Sequence, residues 1–271
     1  MRVKFFIGLI FLIIAFGLNA QSLNSGNFAR HLYQQQLYTD LFYISDNDML
    51  AFNDTVYLYA SLAAIQSDSI NRLQNLLNRA NPSPNKEVLR LYHDSKVKTP
   101  IKYDTTISYE TPVEELNYWM KSQHVLLMRD TILYRKFQKE QPNNKWFLEN
   151  FQTTEKSILM ISELKNKNPW VAGTLSAVMP GLGKAYNGKP LQGLSALMIC
   201  ASLGYQTYEA YQNRKASIAP LYVFGSLLGA FYVGNIYGSA IGVTVSKNRL
   251  NAEIDNQILF TMRRSLHSFY R

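Results

Sequence analysis

The sequence predicts an all-helical chain: a helical domain, then a glycine-rich transmembrane helical hairpin, then an amphipathic C-terminal helix. Three observations carry that reading. Apolar residues recur at helical spacing from Phe28 to about Ala80, and helical segments are expected again between Pro112 and Leu164. Two stretches, Pro190–Tyr208 and Pro220–Val245, hold no charge over 19 and 26 residues. Charged residues make up only 17% of the 271, and the single cysteine, Cys200, excludes a disulfide scaffold. The formal charge is +9, and a strongly hydrophilic disordered chain is excluded as well.

At the amino end, Arg2 and Lys4 precede an uncharged apolar run of 14 residues, Phe5 to Leu18. A helix needs about 20 apolar residues to cross a bilayer core, so the run is short for a permanent anchor. Charge, length and the small Ala20 match a secretory signal over residues 1–20, cleaved before Gln21. An uncleaved anchor is the alternative. No cysteine lies near the cleavage point, which excludes a lipoprotein anchor.

Residues 21–165 then read as an exported helical domain. Phe28, Leu32, Leu37, Leu41 and Phe42 form one apolar series. Leu58, Leu62, Ile65, Ile70, Leu73 and Leu77 form another. Breaks are expected at Ser45-Asp46-Asn47-Asp48 and Asn81-Pro82-Ser83-Pro84. A further pair is expected at Pro112–Lys121 and Ser122–Phe137, and another helix at Lys145–Leu164. Lys96–Thr111, with its alternating Ile101, Tyr103 and Ile107, reads as a long loop or a short extended stretch.

The order Phe28-Ala29, Leu32, Tyr38, Leu41 resembles a degenerate tetratricopeptide hairpin. That repeat stacks antiparallel helix pairs, each burying a face it could not bury alone. The resemblance extends over about residues 25–165, although Gln35 stands near the expected glycine and no 34-residue period is legible. An irregular helical domain is the other reading of the same residues.

The membrane part is expected over residues 166–248, beginning where composition changes at Asn168-Pro169-Trp170. Gln212-Asn213-Arg214-Lys215 separates the two uncharged stretches as a short polar turn. The second stretch carries Gly225, Gly229, Gly234, Gly238 and Gly242 at spacings of four, five, four and four. In lipid, helix association relies on close backbone approach, which a glycine strip permits. This face is expected to pack against Ser202 and Gly204 of the first helix, or against a second copy as a homodimer.

Ahead of the hairpin stands Pro180-Gly181-Leu182-Gly183-Lys184-Ala185-Tyr186-Asn187-Gly188-Lys189. With Pro169-Trp170, Ser176-Ala177, Gly193 and Gly234-Asn235-Ile236-Tyr237-Gly238, it resembles a type of small bacterial membrane domain. That type has an apolar lead-in, a Pro-Gly-x-Gly-x-x-Tyr-x-Gly turn and two helices, and often follows a tetratricopeptide-like exported region. The resemblance implies a membrane-embedded domain and transfers no catalytic residue. Pro180, Gly181, Gly183, Tyr186 and Gly188 are expected to shape the turn. Trp170 and Tyr186 belong at headgroup level, and Lys184 and Lys189 meet lipid phosphates. A Walker loop is excluded: Val178 stands where its first glycine belongs, and Ala185 follows Gly183-Lys184.

Residues 249–271 form the amphipathic tail, with Leu250, Ile254, Ile258, Met262 and Leu266 every fourth residue. It is expected to rest on the membrane or to dock on the exported domain. A cleaved signal and two crossings put residues 21–165 and the tail outside the cytoplasm. Lys184, Lys189, Lys247 and Arg249 at the outer ends run against the positive-inside rule.

No catalytic, cofactor or metal site is legible. His31, His93, His124 and His267 lack ligand spacing, and Cys200 sits inside a membrane helix. Glu209 lies at a helix end, where an interfacial position suits it. Nucleic acid is excluded as a partner by export and membrane burial. The expected function is therefore a non-enzymatic scaffold or adaptor in the inner membrane. Its exported domain binds another envelope protein, and lipids hold the hairpin. A transport or membrane-insertion accessory, with the hairpin as its active part, is the alternative.

Overall fold

The structure is a computed structural model that describes residues 25–47, 54–101, 103, 111–140, 145–215 and 217–271. The expected signal, residues 1–20, lies outside the described residues, as does Ile107 of the expected loop. Every regular element among the described residues is an α-helix. In order these are α1 (Ser25–Gln34), α2 (Tyr38–Asp46), α3 (Asp54–Gln66), α4 (Ile70–Arg79), α5 (Pro84–Val97) and α6 (Pro112–Leu127). There follow α7 (Thr131–Lys139), α8 (Lys145–Asn166), α9 (Pro169–Val178), α10 (Leu182–Tyr186), α11 (Pro190–Gln212) and α12 (Ala219–Tyr270).

The chain divides into two compact units, Met1–Thr153 with Gln257–Arg271, and Thr154–Asn256. Helix starts in the first unit follow capping chemistry. The Ser83 hydroxyl accepts from the Lys86 amide at 3.2 Å, with Pro84 in the first helical turn. Thr111 and Glu114 cap α6 reciprocally, Glu114 N to Thr111 Oγ1 at 3.3 Å and Thr111 N to Glu114 Oε2 at 2.9 Å.

Helix ends obey a different rule. Gln36, Asp68, Lys98 and Arg129 all take positive φ, between 53° and 63°, where the chain leaves α1, α3, α5 and α6. The left-handed residue turns the chain and lets the following amides reach the last carbonyls, as Leu37 N does to Leu32 O at 2.9 Å. Two expectations are corrected here. The break after α6 lies at Met128–Asp130, where Asp130 Oδ1 caps α7 by accepting from Leu133 N at 2.9 Å, and not at Lys121/Ser122. Leu37 sits in a turn and is exposed, so it leaves the apolar series assigned to it.

α3 is buried around most of its circumference, from Val56 to Ile65, and packs against α1, α2, α4 and α5. α6 forms the second centre. Trp119 is fully buried and meets Phe151 edge-on at 5.1 Å, while the Tyr118 hydroxyl donates to the Phe137 carbonyl at 2.6 Å.

The tail completes this unit. Ile258, Met262 and Leu266 are fully buried, and Leu259 is nearly so. Arg30 and Gln34 of α1 donate to the Arg271 carbonyl at 3.0 and 3.2 Å, and the Tyr270 hydroxyl donates to Asn85 at 2.8 Å. Residues 249–271 are not a separate element: they continue α12, which runs 52 residues without a break. Ser246–Tyr270 contains neither glycine nor proline, so nothing in the sequence stops the helix where its pattern turns amphipathic.

Candidate functional site

Within the second unit, α9 to α12 build a compact turn around two close backbone crossings. Asn168 caps α9, its side chain accepting from the Trp170 amide at 2.9 Å, with Pro169 in the first turn. Gly181 then takes φ +91° and Gly188 +83°, on either side of the five-residue α10. A Cβ at Gly181 would overlap the Gly193 carbonyl, and one at Gly183 the Ala172 carbonyl. Both glycines are therefore required for space, and Gly181 for its backbone angle too.

Side chains lock the turn to α12. The Ser176 hydroxyl donates to Ser239 Oγ at 2.8 Å and accepts from the Gly183 amide at 3.0 Å, fully buried. Asn187 Nδ2 donates to Ser246 Oγ at 3.2 Å, and the Tyr232 hydroxyl donates to the Ala177 carbonyl. Asn235, Ser239, Gly242 and Ser246 thus share one face of α12, spaced by four, three and four residues. The polar stripe lies among the glycines Gly225 to Gly242, whose spacing is the stronger pattern in the sequence. Its signal was present, as three polar residues at helical spacing in an otherwise apolar segment.

Within the chain, the described residues leave most of the glycine face without a neighbour. Among the described residues, a Cβ at Gly229, Gly234 or Gly238 would meet no atom within 4 Å, nor would one at Gly204. Gly225 approaches only Thr207 Cγ2, at 3.8 Å, and Gly242 only Asn187 Nδ2, at 3.3 Å. Among the described residues, the approaches closer than 3.0 Å belong to Gly181, Gly183 and Gly193.

Tyr186 is half-buried, its hydroxyl donating to the Asn166 carbonyl at 3.1 Å and accepting from the Asn168 amide at 3.0 Å. It ties the start of α9 to the end of α10. Trp170 is 83% exposed. Pro180 follows the end of α9, and Lys189 is exposed at the start of α11. Lys184 borders a cleft of about 460 Å³ between α11 and α12, together with Ser195, Ile199, Phe231, Gly234 and Asn235.

α12 is long and apolar enough to cross a membrane, and its most apolar 18-residue window is 6% buried. α11 is 23 residues long, about 34 Å at 1.5 Å per residue, and exposes Leu191, Leu194, Met198 and Ile199.

In the first unit, the Ser95 hydroxyl and His124 Nδ1 lie 2.9 Å apart, both buried. Burial holds His124 below the ordinary imidazole range against the Thr99 backbone and Asp94, which pull it up. Tyr103 covers its ring edge-on at 5.6 Å, a closed environment with the character of core. No group of three or more His, Cys, Asp or Glu side chains suited to a metal occurs among the described residues. Compared with known proteins, the chain matches no family model, no curated protein and no solved structure.

Proposed function

We propose that this protein is a membrane-anchored, non-enzymatic scaffold whose first unit, on the exported side of the inner membrane, binds another envelope protein. The observation that carries the anchoring is the exposure of α12. An apolar window that is 6% buried has too much bare hydrocarbon for water, since monomeric soluble proteins rarely leave large contiguous apolar patches uncovered. Tyr205, Tyr208, Tyr211 and Tyr222, exposed around the connection from α11 to α12, suit a membrane–water boundary.

Parity supports a hairpin. Residues 257–271 pack among helices of residues 25–97, so both ends of the first unit share one side of any membrane. One crossing by α12 then demands another between residues 153 and 219. Of the helices there, α11 has the length for it. Lys184 and Lys189 would face lipid phosphates at the end of the hairpin that bears the turn.

The scaffold role rests on the resemblance of residues 25–165 to helical repeats, whose grooves suit peptide or helix recognition. Photo-crosslinking in intact cells from position 132, where Ile132 is 85% exposed, tests it on the full chain. One dominant envelope partner is expected; a ladder of unrelated products, or none, defeats the scaffold. The second reading, a transport or insertion accessory, is favoured by the cleft between α11 and α12.

A further inference from the structure

The cleft between α11 and α12 has chemically uneven walls. Ile199 and Phe231 are apolar and exposed, and Gly234 offers bare backbone with no atom near its missing side chain. Lys184 adds one cation, and Asn235 adds an amide. Asn235 is 7% exposed, yet neither its Nδ2 nor its Oδ1 has a hydrogen-bond partner among the described residues. Because both atoms are unpaired, the finding does not depend on which way the amide is turned. A buried amide without partners is destabilising, and native proteins rarely keep one without a use.

The unmet demands define the occupant. Nδ2 needs an acceptor, Oδ1 needs a donor, and Lys184 favours a negative charge beside them. A phosphodiester supplies the acceptors and the charge. A headgroup hydroxyl supplies the donor. An ethanolamine headgroup also has a donor, but places a second ammonium beside Lys184, and choline has no donor at all. The volume of about 460 Å³ suits a headgroup with the first part of its chains, and the exposed apolar walls suit hydrocarbon.

We propose that this cleft binds one anionic phospholipid with a hydroxyl-bearing headgroup, of the phosphatidylglycerol type. Its phosphate meets Lys184 and Asn235, and its chains lie along Ile199 and Phe231. Binding includes a rotation of the buried Asn235 side chain toward Lys184. The proposal rests on the membrane reading above and assigns Lys184 to one particular lipid.

The test is native mass spectrometry of the full-length chain in detergent micelles. Phosphatidylglycerol, phosphatidylethanolamine and phosphatidylcholine are offered separately, and inorganic phosphate serves as a soluble competitor. One retained phosphatidylglycerol per chain is expected, with phosphatidylcholine binding about tenfold more weakly. Asn235→Leu should lower retention at least about tenfold. Ala230→Trp, which narrows the cleft from an exposed position on its wall, should do the same without touching the amide. Gly229→Ala, which does not line the cleft, should retain lipid like the wild type.

Equal retention by wild type, Asn235→Leu and Ala230→Trp overturns the proposal. Displacement of the lipid by equimolar inorganic phosphate overturns it too, by making this a phosphate site. Circular dichroism checks that each variant folds, and Ala230→Trp keeps the test decisive if Asn235→Leu does not. Membrane anchoring fails separately, if alkaline carbonate without detergent releases the wild-type chain.

Discussion

The carbonyl of Gly193 fills the space where a side chain at Gly181 would stand, and the carbonyl of Gly181 does the same to Gly193. This reciprocal crossing fixes the start of α11 against the turn before it. Gly181→Ala combines steric overlap with φ +91°, and should destabilise the second unit by about 2–4 kcal/mol. Gly238→Ala, inside a helix and with no described atom near its Cβ, should leave stability unchanged or raise it by up to about 1 kcal/mol. Thermal unfolding of the detergent-solubilised chain separates them. If Gly238→Leu leaves the melt intact but abolishes a crosslinked dimer, the glycine face packs against a second copy.

The buried pair of Ser95 and His124 should make the first unit acid-sensitive. Burial depresses the folded-state pKa of His124, so the unfolded chain takes up the proton more readily. The contribution to stability is complete above about pH 6.5, the unfolded value, and is lost as pH falls from there toward the folded value. Denaturant midpoints between pH 8 and pH 5 should decline, and His124→Gln should flatten the decline while lowering the plateau. A slope unchanged by the substitution would assign the acid response to other groups.

The docked tail should behave as core. Met262→Ala and Leu266→Ala each remove a fully buried side chain and should destabilise by about 2–5 kcal/mol. Hydrogen exchange is the suitable readout. Amides of α1 should lose protection, because Arg30 and Gln34 hold the last residue and Tyr33 packs beside His267 at 6.0 Å. Protection unchanged in α1 would mean that the tail is dispensable there.

Helix ends offer a gain. Gln36 and Arg129 hold left-handed backbone with full side chains, at φ 60° and 63°. Gln36→Gly and Arg129→Gly should each stabilise by about 0.5–1 kcal/mol, as measured by the unfolding midpoint.

Membrane topology has a direct check through labelling, since Cys200 is the one cysteine of the chain. In a Cys200→Ser background, Gln36→Cys and Ser268→Cys should react with an impermeant maleimide from the same side. Lys215→Cys, in the connection between α11 and α12, should react from the other. Labelling of all three from one side would remove the hairpin.

Much of the helical architecture was legible because its signals are local. Pro84, Pro112, Pro169 and Pro190 sit in first turns, Ser83, Thr111 and Asn168 cap, and apolar spacing marks the faces. Helix ends were harder. Four of them turn on Gln36, Asp68, Lys98 and Arg129, where the glycine that most often ends a helix is absent. The turn glycines were legible from their clustering, but composition could not rank them against Gly225 to Gly242. Close approach is a property of what lies opposite, and Gly193 O opposite Gly181 is invisible in one dimension. Asn235 stood in plain view between Gly234 and Ile236, yet its missing hydrogen bonds emerge only in three dimensions.

Synthesis runs from the amino end, so the segment that seals the first unit, Gln257–Arg271, emerges only after the whole of Thr154–Asn256. The nascent amino-terminal helices must therefore wait, with the surfaces that Ile258, Met262 and Leu266 later cover still bare, until more than a hundred further residues have been translated. Premature stop codons anywhere before Gln257 should consequently leave a product that quality-control proteases clear, even when every residue of the early helices is intact.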